Sequence, residues 1–426
     1  MNTNFQLTSL QDANSCFKQA NQYQQHRQLD QAVVAYRHAI TEKPNFSWYH
    51  HNLGETLTQL GQWEEAIASY QKACELNSNS AWSYYNLAEL LEQQGRIPEA
   101  TDAYRRAVEL NPDFYEFQQS LGKLLCQQGH FSEAISSLQT AIELEPDATS
   151  CYQYLWDAFA RQGRGSEGIA YLRKALEVSA NKWELYQQLG EALEALNQIE
   201  EALESYQQVI KLNPKSAWTH YKLGLISRNQ GKMQEAITDF RKAAEIDPQS
   251  AIYYHFLGHT LSLTHQWEDA ITSYHKALEL APDAAIIYQH LGDALATLQR
   301  WPQAVTAYHH SVELDPNSLE AQDHLGFALA QLQRWDEAVA AYRRALNISE
   351  SDVVYQHLGE ALQNRSPLQP LPQAAKADLE AAAQCYRRVL ELNPNWVSTY
   401  QLLGDVLTQL GETEEAELCY HRAQKP

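Results

Sequence analysis

The chain has 426 residues, with 32 lysines and arginines against 53 aspartates and glutamates, for a formal net charge of −21. A mean field of that sign repels a phosphate backbone, which argues against nucleic acid as a partner and against a helical-pair solenoid that reads RNA. The six cysteines, Cys16, Cys74, Cys126, Cys151, Cys385 and Cys419, show no C-x-x-C pairing and no histidine at metal-ligand spacing. They read as free thiols of a reducing compartment, with no support for a zinc or redox site.

Residues 1 to 12 are polar, with Phe5, Leu7 and Leu10 expected to lie over the open end of the first helix pair and to fray. They contain neither a charged n-region nor an apolar h-region, and no run of the chain approaches a membrane span. No membrane association and a cytoplasmic location are therefore expected. That first pair, Ala13 to Phe46, is recognised by Ala32, Tyr36, Ala39 and Pro44, with Gln19-Ala20 where later units have Leu-Gly.

From there a Leu-Gly mark recurs at Leu53-Gly54, Leu121-Gly122, Leu189-Gly190, Leu223-Gly224, Leu257-Gly258, Leu291-Gly292, Leu325-Gly326, Leu358-Gly359 and Leu403-Gly404. Leu87-Ala88 and Leu155-Trp156 stand in register with it. A small residue comes twelve positions on, from Ala66 and Ala100 through Gly168 to Ala382 and Ala416. The units at 47–80, 81–114 and 115–148 are regular, with Gly61, Gly95 and Gly129 placed to close first helices in a left-handed conformation and Pro98 to open a second helix.

The unit 149–182 departs most. Trp156 replaces the glycine, Gly168 the alanine and Leu172 the aromatic residue, which predicts large-for-small compensation with the Trp156 ring over Gly168. Its GRGSEG formally matches a dinucleotide fingerprint, but a helix precedes it and no strand pattern exists, so the match is read as chance.

The stretch Ala251 to Ala284 shows the pattern most plainly. Tyr254, Leu257, Gly258 and Leu261 form one apolar helical stripe, and Ala270, Tyr274 and Ala277 form another. Glu268 and Asp269 sit in the first turn of the second helix, and Pro282 comes after its end. The unit 319–351 is one residue short. In 352–396 eleven residues are inserted, including Pro367, Pro370 and Pro372, which forbid continuous helix, and an alanine-rich run that extends the second helix backwards.

Aromatic-x-x-Leu-Gly, then Ala-x-x-x-Tyr-x-x-Ala, then Pro, over thirty-four residues, resembles the tetratricopeptide repeat family. The resemblance implies an all-α fold: an α-solenoid of stacked antiparallel helix pairs forming a right-handed superhelix. It covers about twelve repeats in one continuous array over 13–426, after an N-terminal segment 1–12 and with the insertion at about 364–375. Length alone would suggest about three globular domains, but a stacked repeat overrides that prior.

If positions four, seven, eight and eleven of each first helix face inward, positions two, five and nine point to the opposite side. In the family resembled, that side lines a concave groove. The groove set is then Trp48, His51 and Glu55; Trp82, Tyr85 and Glu89; Glu116, Gln119 and Lys123; Trp218, Tyr221 and Leu225. Position nine is acidic at Glu55, Glu89, Asp157, Glu191, Asp293, Glu360 and Asp405. Position six carries Asn52, Asn86, His290, His324 and His357, the histidines read as hydrogen-bonding groups. Aromatic anchors beside a line of carboxylates suit a neutral or basic peptide.

The reading is a non-enzymatic scaffold that grips peptide segments or partner proteins, with no catalytic, cofactor or metal residues. The alternative is the substrate-recruiting arm of a larger glycosyltransferase, sulfotransferase or methyltransferase. The partner's identity and the oligomeric state stay open.

Overall fold

A computed structural model describes residues 12–424. The expectation for Phe5, Leu7 and Leu10 falls outside the described residues. Contacts divide the chain into a first unit ending at Pro214 and a second beginning at Lys215.

The first unit is six helix pairs: α1 Ala13–Gln25 with α2 Leu29–Glu42, α3 Ser47–Gln59 with α4 Trp63–Leu76, α5 Ala81–Gln93 with α6 Ile97–Leu110, α7 Tyr115–Gln127 with α8 Phe131–Leu144, α9 Thr149–Arg161 with α10 Gly165–Val178, and α11 Lys182–Ala195 with α12 Ile199–Leu212. The second unit has the same plan: α13 Ala217–Asn229 with α14 Met233–Ile246, α15 Ala251–Leu263 with α16 Trp267–Leu280, α17 Ala285–Thr297 with α18 Trp301–Leu314, and α19 Leu319–Gln331 with α20 Trp335–Ile348. It ends with α21 Asp352–Arg365 and α22 Pro372–Leu392, then α23 Val397–Leu410 and α24 Thr413–Ala423. Among the described residues no strand occurs, and within each unit every helix packs on the one before it and the one after it. The fold is an all-α solenoid of helix pairs.

The Leu-Gly mark has a steric cause. A Cβ added at Gly258 would stand 2.9 Å from ring carbons of Tyr274 and 3.2 Å from the Ala270 carbonyl oxygen. The tyrosine ring of the second helix lies close against the backbone of the first, and Tyr274, Ala270 and Ala277 are fully buried there. The tight turn between paired helices needs a left-handed residue, supplied by Gly61, Gly95 and Gly129 as expected and by Arg27, Asn197, His265, Gln299 and Gln333 at equivalent places.

The inward face is wider than the sequence pattern predicts. Position three is buried in every first helix from α3 onward, at Tyr49, Ser83, Phe117, Cys151, Leu185, Thr219, Tyr253, Ile287, Ala321, Val354 and Thr399. Position four, enclosed at Gln118, Tyr152, His220 and Gln322, has a second job in three repeats. His50 Nε2, the Gln118 amide and the Tyr152 hydroxyl each reach the carbonyl of the proline six residues earlier, at 2.9, 3.2 and 3.1 Å. The reason is stacking on both flanks: a first helix is covered by its own partner and by its neighbours, so more than one stripe is enclosed.

In α9 and α10 the expected exchange is present, since a Cβ on Gly168 would lie 2.8 Å from Trp156 Cδ1 and 3.1 Å from Trp156 Cα. One buried cluster of the first unit runs from Ala20 to Ala134 and another from Ile135 to Phe159. Gly165 opens α10 directly after a helix, which removes the dinucleotide reading of GRGSEG.

The insertion is built. A 3-10 turn, Ser366–Leu368, separates α21 from the 21-residue α22. Arg365 donates to both oxygens of Asp378 at 2.9 and 2.6 Å, Gln369 donates to the same carboxylate, and Ser366 Oγ donates to the Ala375 carbonyl. Outside, a ladder of ion pairs links successive second helices: Arg37 with Glu65, Arg105 with Glu133, Arg173 with Glu201, and Arg241 with Asp269. Among the described residues no helix is long and apolar enough to cross a membrane. Among the described residues no disulfide joins any of the six cysteines.

Candidate functional site

On the first unit the sequence-marked residues gather into two aromatic clusters. Trp48, at the start of α3, is 45% exposed and stacks on His51 with centroids 4.6 Å apart and planes 5° apart. His51 itself is buried, with Nδ1 3.0 Å from Ser83 Oγ on α5 and its ring edge-on to Tyr70. Burial pushes its pKa down to about 4, so the ring is neutral at physiological pH. Position five is therefore not part of an open face here. It is wedged against the next first helix, as are Gln289 and Asp323, both less than a tenth exposed.

One repeat on, Trp82 is 44% exposed and meets Phe114, Phe117 and Tyr85 edge-to-face at 4.9, 5.1 and 5.9 Å. Tyr85 stacks on Phe117 at 4.8 Å and donates to Glu89 at 2.9 Å. Each tryptophan is thus held by its own buried or half-buried ring. Asn52 donates to the Trp48 carbonyl at 2.6 Å, and Asn86 lies beside the Tyr70 hydroxyl.

The acidic position nine is partly engaged within the fold. Glu89, Glu191, Glu360 and Asp405 accept from the residue four positions earlier, and Asp293 and Asp405 accept from Tyr308 and Tyr420 on their second helices at 2.7 and 2.9 Å. On the second unit Trp218 lies under the Lys222 ammonium, 5.3 Å from the ring centroid, and Tyr221 packs among Phe240, Tyr253 and Phe256.

The histidines of α17, α19 and α21 do not contact one another ring to ring but take partners from neighbouring repeats. His290 Nδ1 is 3.0 Å from His255 Nε2, and its ring stacks on His259 at 5.0 Å. His259 in turn faces Arg228 at 3.3 Å. His324 Nδ1 stands 2.9 Å from Asp293 Oδ1, and His357 Nδ1 stands 2.8 Å from Asp323 Oδ1. Burial lowers the pKa of His255, His259 and His290, that of His255 to about 4. His324 is raised by the Asp293 carboxylate beside it, although the contact is not aligned as a hydrogen bond, and at His357 the bond and charge of Asp323 outweigh burial. Among the described residues no group of three histidines, cysteines or carboxylates has the geometry to hold a metal ion.

His255 and His259 are absent from the sequence candidates, although both occupy groove positions. They lie one turn apart on α15, at positions five and nine, and the signal was an i, i+4 histidine pair with a histidine at position six of the next repeat.

By sequence, profiles of the tetratricopeptide repeat match residues 35–68, 81–114, 120–182, 215–283, 264–318, 319–352, 374–395 and 397–425, and a TPR repeat profile matches 54–95 and 194–227. No curated protein matches the chain. Among solved structures, a crystal structure of MamA protein is 27% identical over 39% of this chain and 90% of that one, at a TM-score of 0.37. Yeast Tom70 is 16% identical over 96% and 91% of the two chains, at 0.37. A chain of the APC/C hetero-tetramer Cut9-Hcn1 is 14% identical over 97% and 93%, at 0.39.

Proposed function

The chain belongs to the tetratricopeptide repeat family, and from that premise we propose that it is a protein-interaction scaffold whose α3 and α5 face binds a neutral to basic segment of a partner protein. The observation that carries this is the pair of exposed tryptophans at position two, Trp48 and Trp82, each braced by a ring beneath it. Rigid aromatic side chains that keep nearly half their surface in water while their rotamer is fixed lose little entropy on binding, which is the character of interface anchors. Glu55 and Glu89 supply a negative potential beside them, of the same sign as the whole chain. Charge steers and rings hold.

Partners recovered by pull-down and measured by surface plasmon resonance test the reading. Trp82→Ala should speed dissociation, by about 2 kcal/mol or more if the ring is an anchor, whereas Glu89→Lys should slow association and lose its effect at high salt. An acidic ligand, or a dissociation rate indifferent to Trp82, would overturn the assignment.

A further inference from the structure

In the second unit a cleft of about 480 Å³ opens between α15, α16, α17 and α19. Trp267 and Tyr274 form an aromatic wall, Asp293 and Glu320 bring carboxylates from two successive first helices, and His259, His290 and His324 complete the lining; no lysine or arginine is among the described residues that line it. We propose that this cleft takes the basic side chain of an arginine or lysine in the partner segment and releases it on acidification. The proposal rests on the reading that the first-helix face binds a protein segment, and it names a chemistry for one place on that face.

The volume lies in the range of small-ligand pockets, with room for a guanidinium and its stem. Two carboxylates on low-dielectric walls focus a negative field into the opening, and the partly exposed Trp267 ring favours a cation laid over it, Tyr274 being buried behind. Glu320 is exposed and accepts from Gln289 at 3.3 Å, a long bond that leaves the carboxylate capacity for a charged donor. Asp293 Oδ1 is met by Tyr308 and His324 from two further helices, which fixes the carboxylate at the cleft wall.

The histidines give the pH dependence its sign. At neutral pH burial keeps His259 and His290 uncharged, and His255 and His290 share one hydrogen bond that requires a neutral acceptor. As pH falls, His324, raised by Asp293, takes its proton first and neutralises that carboxylate. Protonation of His290 and His259 comes next, beside Arg228 and His255, and places positive charge in the cleft. Asp323 and Glu320, the other charges near His324, hold its proton more firmly. Each step opposes a bound cation.

The probe is a fluorescein-labelled nonapeptide of alanine and serine with one central arginine, compared with citrulline and glutamate versions on the full chain by anisotropy. Near pH 7.5 the arginine peptide should bind at least about fivefold tighter than citrulline, and that preference should shrink steadily as the pH falls. Glu320→Gln with Asp293→Asn should abolish the preference at neutral pH, and the exposed single change Glu320→Gln should reduce it without disturbing the fold. His290→Gln should preserve part of it at low pH. Equal binding of arginine and citrulline peptides, or a preference that survives both carboxylate changes, overturns the proposal. Such a result with pulled-down partners still dependent on Trp82 refutes the cleft alone; arginine preference with partners indifferent to Trp82 refutes the first-unit face and leaves the cleft standing.

Discussion

Gly168 and Trp156 reverse the order of a pair that most repeats share. In those the ring comes from the second helix and the glycine from the first, as with Tyr274 over Gly258, while Leu138 takes the place of the ring at Gly122; here the first helix carries the ring and the second the glycine. An alanine Cβ at 168 would meet not only the indole edge at 2.8 Å but the Trp156 backbone at 3.1 Å, and the backbone cannot swing aside. Gly168→Ala should therefore lower stability by about 1–3 kcal/mol, read as a fall in melting temperature, although alanine is the residue at the matching place in other repeats. A rise would refute the packing argument. Trp156 Nε1 is buried without a hydrogen-bond partner, so the triple change Trp156→Gly, Gly168→Ala, Leu172→Tyr, which restores the common order, should recover the loss. The exchange of sizes was legible in the sequence because it occurs at matching positions. The unpaired indole was not, because it depends on which neighbours surround the ring.

At the scale of the element, the insertion after α21 is held by polar contacts rather than by apolar burial. Arg365 and Asp378 are 16% and 10% exposed, while Leu368 and Leu371 beside them point largely into water. Removing Asp378 leaves the Arg365 guanidinium to the exposed Asp336 carboxylate, 3.0 Å away, and takes the acceptor from Gln369 as well. Asp378→Ala should cost about 1–3 kcal/mol locally and release the first two turns of α22, visible as faster amide exchange over residues 366–380 with α17 to α20 unchanged. Exchange that stays protected there would show that the ion pair is incidental. Three prolines and an alanine run predicted the break and the backward extension of α22, because both are properties of the local backbone. Which carboxylate would reach back across the loop to Arg365 is a tertiary fact with no local trace. The same division explains the candidate faces. Trp48 and Trp82 are set by helical periodicity within one repeat, whereas the burial of His51 and the meeting of His255, His259 and His290 are set by neighbouring repeats, at positions with different numbers in the pattern.

At the scale of the whole molecule, the core within each unit is a chain of nearest-neighbour contacts, and damage should stay near its source. Leu257 is buried within the apolar cluster of the second unit. Leu257→Ala should cost about 2–5 kcal/mol through the cavity it leaves, with exchange rising in α13 to α18 and α1 to α8 keeping their protection. A uniform rise along all described helices would mean one cooperative body instead. The outer ladder of ion pairs adds a different kind of information. Its rungs begin at Arg37, Arg105, Arg173 and Arg241, every 68 residues, and the intervening places hold Gln71, Gln139 and Gln207. Exposed pairs of this kind contribute little to stability, but they record parity. Over this stretch the building block is a double repeat: excising or duplicating 68 residues keeps arginine and glutamine in alternation, while a change of 34 sets two arginines or two glutamines in succession. Anyone shortening or grafting the array, or reconstructing how it lengthened, should count in twos.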